Sequence, residues 1–191
     1  MEYRIYNRVN CTLFDMVGHN ESDQTKSLGY ILANSVEAMK MFLSLIQIDK
    51  KQIAFLTSLN WVVECEERIV PGNKKSPRTD IVIRFYDKNV IKKIIIIEAK
   101  GINARVNPPM IISQLQSYKT RYCNFYASTH NMMCVTLTNI SLTHSNFISN
   151  GIYSLTWLEI IGKFHLFAAK SKTKTHEMQL ISDFVNYLLN I

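Results

Sequence analysis

Glycine and proline are scarce, six and four residues in a chain of 191, which excludes collagen-like repeats and Pro- or Gly/Ser-rich linkers. Long apolar runs are missing too. The longest strongly apolar block, Ile94-Ile95-Ile96-Ile97, is far short of the ~20 residues a membrane helix needs. Met1-Glu2-Tyr3-Arg4-Ile5 lacks the uninterrupted apolar stretch of a secretory signal. Cys11, Cys65, Cys123 and Cys134 are scattered, with no C-x-x-C pair for zinc or redox work. The expectation is a soluble, cytoplasmic protein with reduced thiols and no membrane partner. His19, His130, His144, His165 and His176 show no H-x-x-x-H spacing, which disfavours a zinc enzyme. A Walker A sequence, a G-x-G-x-x-G fingerprint and a nucleophile elbow are likewise lacking, against a nucleotide motor, a dehydrogenase and a serine hydrolase.

What is present is ordinary globular material. Hydrophobic residues make up 47% and charged residues 19%, enough to build a core and inconsistent with disorder. The length fits a single domain over residues 1–191. Lys and Arg number 22 against 15 Asp and Glu, a net charge of +7. That excess suits a polyanionic partner such as nucleic acid without requiring one.

Between residues 24 and 46, Leu28, Ile31, Leu32, Val36, Met39, Phe42, Leu43 and Ile46 recur at three- and four-residue steps. This periodicity predicts one amphipathic helix, with Asn20, Ser22 and Asp23 as caps. Residues 61–70 read as a strand closed by Pro71-Gly72, followed by a polar basic loop over 73–78. Two Ile/Val-rich extended runs, 79–86 and 93–100, flank Asp87-Lys88-Asn89 as a hairpin. A loop over 101–109, a helix over 110–122, strands over 132–138 and 152–157, and a last helix over 177–189 complete the reading. Strands interleaved with helices predict an α/β protein with a mixed central sheet flanked by helices. The all-apolar Ile94–Ile97 run predicts a central strand buried on both faces.

The hairpin brings chemistry together. With its turn near Asn89, Asp80 falls opposite Glu98, and directly opposed residues have Cβ atoms ~5 Å apart. Two carboxylates that close repel unless one is protonated or a cation lies between them. Lys100, two residues past Glu98, points to the same face. Mg²⁺ is held by one or two carboxylates and keeps several waters, and the Ala99 carbonyl can add a further oxygen. Such a metal activates water and offsets charge on a phosphodiester, while an adjacent lysine stabilises charge developing at phosphorus. A D…E-x-K pattern also arises by chance in a chain of this size, and the alternative for Glu98 and Lys100 is an ordinary strand-end salt bridge.

The stretches Thr79-Asp80-Ile81-Val82-Ile83 and Ile95-Ile96-Ile97-Glu98-Ala99-Lys100-Gly101 resemble the PD-(D/E)XK nuclease superfamily. Its restriction-endonuclease-like core runs αβββαβ, the order read above. The resemblance covers about residues 20–160, including Leu155-Thr156-Trp157-Leu158-Glu159-Ile160, and departs in placing Thr79 where the motif name has proline. It implies Asp80 and Glu98 as metal ligands and Lys100 as the catalytic lysine. Gln114-Leu115-Gln116-Ser117-Tyr118 resembles the Q-x-x-x-Y element of exonuclease-like branches. Gln114 and Tyr118 share a helix face; either both approach the site, or Gln114 is surface and Tyr118 core. The stretch Asn20–Leu28 is similar to the first-helix opening of some members, an element that often sends an acid to the metal. Glu21 is the candidate, with Glu37 and Glu64 as substitutes, although acids at helix starts are also favoured by the helix dipole.

The implied activity is hydrolysis of phosphodiester bonds with Mg²⁺ or Mn²⁺, on DNA sooner than RNA, by a mobile-element or anti-phage defence effector that works as a homodimer. Lys74, Lys75 and Arg78, just before Asp80, are candidate nucleic-acid contacts together with Tyr118. The competing readings are a non-cleaving binding protein on the same fold and an RNA-cutting member.

Overall fold

Consecutive β-branched side chains favour extended backbone and pack well on a pleated surface, and the Val- and Ile-rich runs occupy the middle of a five-stranded sheet. The computed structural model describes Phe14 and residues 18–68, 78–126, 131–141, 151–170 and 175–191. The strands are β1 (Asn60–Arg68), β2 (Arg78–Asp87), β3 (Val90–Ala99), β4 (Met132–Thr138) and β5 (Ile152–Thr156), arranged in the order β1-β2-β3-β4-β5. β1, β2 and β3 form an antiparallel meander, and β4 and β5 continue it in parallel. The mixed sheet is therefore as expected, with β3 at its centre and Ile94 to Ile97 buried on both faces. The β2–β3 turn is made by Lys88, in the left-handed region at φ 55°, and Asn89. Residues 69–77, which include Val70 and the basic loop up to Pro77, lie outside the described residues, and Arg78, expected at the end of that loop, is the first residue of β2.

The helices are α1 (Glu21–Asn34), α2 (Val36–Leu45), α3 (Lys50–Ser58), α4 (Pro108–Tyr126), α5 (Trp157–Lys170) and α6 (His176–Leu189). Among the described residues none is long and apolar enough to cross a membrane. The single helix expected over 24–46 is two. Ser35 leaves the helix at φ −133°, ψ 116°, and its side chain caps α2 by accepting from the Ala38 N–H. The apolar period continues through the break because both helices pack on the same core. The strand expected over 152–157 stops at Thr156. There Thr156 and Glu159 form a capping box, the Thr156 N–H donating to Glu159 Oε2 and the Glu159 N–H to Thr156 Oγ1. Trp157, Ile160, Ile161 and Phe164 then form the buried stripe of α5.

Alternation along the strands sorts the core into two layers. On one face Ile81, Ile83, Phe85, Ile95, Ile97, Ala99, Val135, Leu137 and Leu155 pack under α1, α2, α5 and α6. Aromatic rings fill this layer, with Phe184 5.3 Å from Phe14 and 6.0 Å from Phe164 between centroids. Each fully buried side chain of this size contributes about 1.5–3 kcal/mol. The other face is thinner: Val82, Ile94, Ile96, Cys134 and Ile152 meet Ile111, Leu115, Tyr118 and Tyr122 of α4. Gly29 of α1 rests against the Cys65 sulfur on β1, where a Cβ would overlap it.

Candidate active site

The tight turn pairs Asp87 with Val90, and a β-bulge between Phe85 and Tyr86 then shifts the β2–β3 register by one residue, a step that exchanges which side chains share a face. The register pairs Ile81 with Ile97, so its next step sets Asp80 opposite Glu98. Asp80 Oδ2 accepts from the Ala99 N–H at 2.7 Å. Glu98 is only 2% exposed, and its Oε1 lies 3.1 Å from Lys100 Nζ. Glu21, at the first residue of α1, closes the group from the opposite side. Its Oε1 stands 3.4 Å from Lys100 Nζ, and its Oε2 accepts from the Gly101 N–H at 3.0 Å. Three carboxylates thus surround one ammonium where β3 leaves the sheet.

Electrostatics follow from burial. Asp80 is pushed up to about 7, first by burial and then by the Glu98 charge, against the Ala99 N–H and Lys100. Burial also raises Glu98, opposed by Lys100 and by the Tyr118 hydroxyl. For Lys100, burial favours the neutral amine, but Glu98, Asp80 and Glu21 outweigh it and hold the group above its ordinary value. Lys100 is an ammonium here, a source of positive charge and not a base. Burial, Glu98 and Asp80 keep Tyr118 protonated, so its hydroxyl is a donor.

The lysine's backbone is held as firmly as its side chain. Its N–H donates to the Leu137 carbonyl at 2.8 Å, and its carbonyl accepts from Trp157 Nε1 at 2.7 Å. The next turn is pinned by Gln24, which is buried. Its Oε1 accepts from the Ile102 N–H at 2.8 Å, and its Nε2 donates to the His19 carbonyl at 3.0 Å. Sequence reasoning missed Gln24 and Trp157, since nothing local marks a partner on a distant element. The Thr156–Glu159 spacing was the available clue that Trp157 begins a helix facing the site.

Of the residues singled out from sequence, Asp80, Glu98, Ala99, Lys100 and Glu21 come together. Gln114 and Tyr118 approach from α4, with the Tyr118 hydroxyl beside both Glu98 and Gln114. Arg78 is more than half exposed and stands 3.6 Å from Glu66, while Lys74 and Lys75 lie outside the described residues. The substitute acids are engaged elsewhere: Glu37 pairs with Lys40 at 2.7 Å, and Glu64 pairs with Arg84. Arg84, 2% exposed, also binds Glu67, which accepts from the Tyr122 hydroxyl. The guanidinium carbon lies 5.8 Å from the centroid of the Tyr122 ring. This buried network ties the far end of α4 to β1.

The donor set suits a hard divalent cation. Among the described residues no three His, Cys, Asp or Glu side chains form a closed metal cage, but Mg²⁺ needs only one or two carboxylates plus waters. Asp80 and Glu98 supply those, with the Ala99 carbonyl next to Glu98 in sequence. Neither a protein-family model nor a curated protein matches the chain.

Proposed function

We propose that the protein is a metal-dependent nuclease of the PD-(D/E)XK type, built on a restriction-endonuclease-like core. The observation that carries this reading is the buried Asp80–Glu98 pair with Lys100 Nζ 3.1 Å from Glu98. Two adjacent carboxylates, one with its pKa pushed up to about 7, destabilise each other unless a cation joins them. Asp80, Glu98 and the Ala99 carbonyl would hold Mg²⁺ or Mn²⁺, which supplies an activated water and charge neutralisation at a phosphodiester. Lys100, kept as an ammonium, stabilises negative charge on the phosphate oxygens. Glu21, Gln24 and Trp157 fix the lysine, and Tyr118 and Gln114 border Glu98 from α4. By the resemblance, DNA is the substrate ahead of RNA, and a homodimer would place two sites on two strands. The free thiols of Cys65, Cys123 and Cys134 suit a cytoplasmic setting, and mobile-element or anti-phage defence is the corresponding role.

The test is one panel of supercoiled plasmid, linear duplex, single-stranded DNA and RNA, each with Mg²⁺, Mn²⁺ or EDTA. Cleavage is expected only with metal, and Lys100→Ala should reduce it by about 10²–10³-fold, the scale of losing one preorganised charge-stabilising group. Wild-type protein that cuts none of the four substrates with either metal would overturn the proposal of an unaided nuclease.

A further inference from the structure

The polar patch continues across the sheet from β3 to β4. Glu98 stands in register with Thr136 on the neighbouring parallel strand β4. Cys134 of β4 packs on the α4 side, whereas Val135 and Leu137 pack on the opposite layer. Alternation therefore turns Thr136 toward α4, beside Glu98. Thr136 is fully buried at 0% exposure. Three buried atoms in this one neighbourhood have no hydrogen-bond partner: Thr136 Oγ1, Glu98 Oε2 and Gln114 Oε1. Gln114 belongs with the other two because the Tyr118 hydroxyl lies beside both its side chain and Glu98.

The chemistry of the three atoms defines what would complete them. A carboxylate oxygen and an amide oxygen only accept, while the threonine hydroxyl can donate. Their complement has two protons and a lone pair, which is a water molecule. Buried waters characteristically make about three hydrogen bonds to groups otherwise left unmatched. We propose that Glu98 Oε2, Gln114 Oε1 and Thr136 Oγ1 hold one buried water, and that through it Thr136 is a positioning residue for Glu98. The water donates to Glu98 and Gln114 and accepts from Thr136. With the inner oxygen so held, Glu98 Oε1 stays directed at Lys100. The effect on metal rests on the nuclease reading; the water itself does not.

The decisive variants are Thr136→Val, which keeps the shape and removes the hydroxyl, and Thr136→Ser, which keeps the hydroxyl. Replacing a truly unmatched hydroxyl by methyl is neutral or stabilising. If Thr136 anchors the water, Thr136→Val instead raises the unfolding constant in urea and EDTA by about fivefold, the scale of one lost hydrogen bond. A high-resolution crystal structure of the wild type should show ordered water within hydrogen-bond distance of all three atoms. A Thr136→Val chain as stable as wild type, or a wild-type crystal with no water there, overturns the water site. In a Mn²⁺ titration Thr136→Val should bind about tenfold more weakly, as removal of a ligand-orienting partner does, with Thr136→Ser within about twofold of wild type. Equal Mn²⁺ affinity in wild type and Thr136→Val refutes the positioning role and leaves the nuclease reading standing. A wild type that takes up no Mn²⁺ defeats the nuclease reading, and the urea and crystal results then decide the water alone.

Discussion

The two faces of the sheet are made from the same strands and used differently. Under α1, α2, α5 and α6 the strands present isoleucine, valine, leucine and phenylalanine. Under α4 the apolar set is smaller, and Arg84, Glu98 and Thr136 are as deeply buried as any isoleucine. Ile97 and Glu98 are consecutive residues, both nearly inaccessible, yet one is part of a hydrocarbon layer and the other of an ionic cluster. Burial by itself therefore says little about what a residue does. A charge is tolerated inside where partners converge on it, as Lys100 and Tyr118 do on Glu98.

The sharpest way to break this contrast is to exchange the character of the layers. Ile97→Glu places a carboxylate among the hydrocarbon side chains of Ile81, Ile95 and Val135, at a cost of several kcal/mol. We expect no cooperative unfolding transition by circular dichroism at neutral pH. A folded Ile97→Glu chain would show that the two faces are equivalent.

Next in size is the network at the far end of α4. Arg84→Ala leaves Glu67 without its countercharge at a cost of about 3 kcal/mol, the lower end for breaking a buried pair, because Glu64, 46% exposed, stays solvated. Urea unfolding measures it. A loss below about 1 kcal/mol would mean that the pair behaves as an exposed one.

Gly29→Ala probes the apolar side, where the added Cβ meets the Cys65 sulfur. The expected loss is about 1–3 kcal/mol from overpacking, recovered when Cys65→Ala is added. Failure of that rescue would place the strain elsewhere.

The most diagnostic effect is the pH dependence of Asp80. Its folded pKa, about 7, is above the ordinary ~3.9, so the folded chain holds this proton more tightly than the unfolded chain. The resulting stability is fully present below about pH 4 and is lost as pH rises through about 7. In EDTA, Asp80→Asn should lack this fall, and the two urea midpoints should separate between pH 4 and pH 8. Parallel curves would contradict a strained carboxylate pair.

Much of this arrangement was legible in the sequence where it depends on local structure. Centring the short β2–β3 turn near Asn89 set Asp80 against Glu98, a register the strands reach through a β-bulge between Phe85 and Tyr86 that the sequence did not signal, and the Ile94–Ile97 run marked the central strand. The Q-x-x-x-Y spacing put Gln114 and Tyr118 on one face of α4. Elements that depend on distant partners were not legible. α3 has too few apolar positions to show a period, Leu56 being its one buried residue. Ser35 interrupts a helix pattern that both of its neighbours continue. Gln24 and Ile102 are 78 residues apart, and Trp157 and Lys100 are 57 apart, so only the assembled core reveals that they hold the lysine.

Glu66 has one more consequence. Its φ of 55° lies within a nine-residue strand and reverses the side to which the following residues point. Val63 and Cys65 pack toward the aromatic layer, and so does Glu66, which meets Ser22 and Lys26 of α1. Glu64 and Glu67 both reach Arg84 on the opposite side. A regular strand would send Glu64 and Glu67 to opposite faces. The left-handed residue acts as a phase shifter, letting one edge strand anchor the first helix and neutralise a buried arginine at once. A hydrophobic pattern read strictly in steps of two would go out of register at this point.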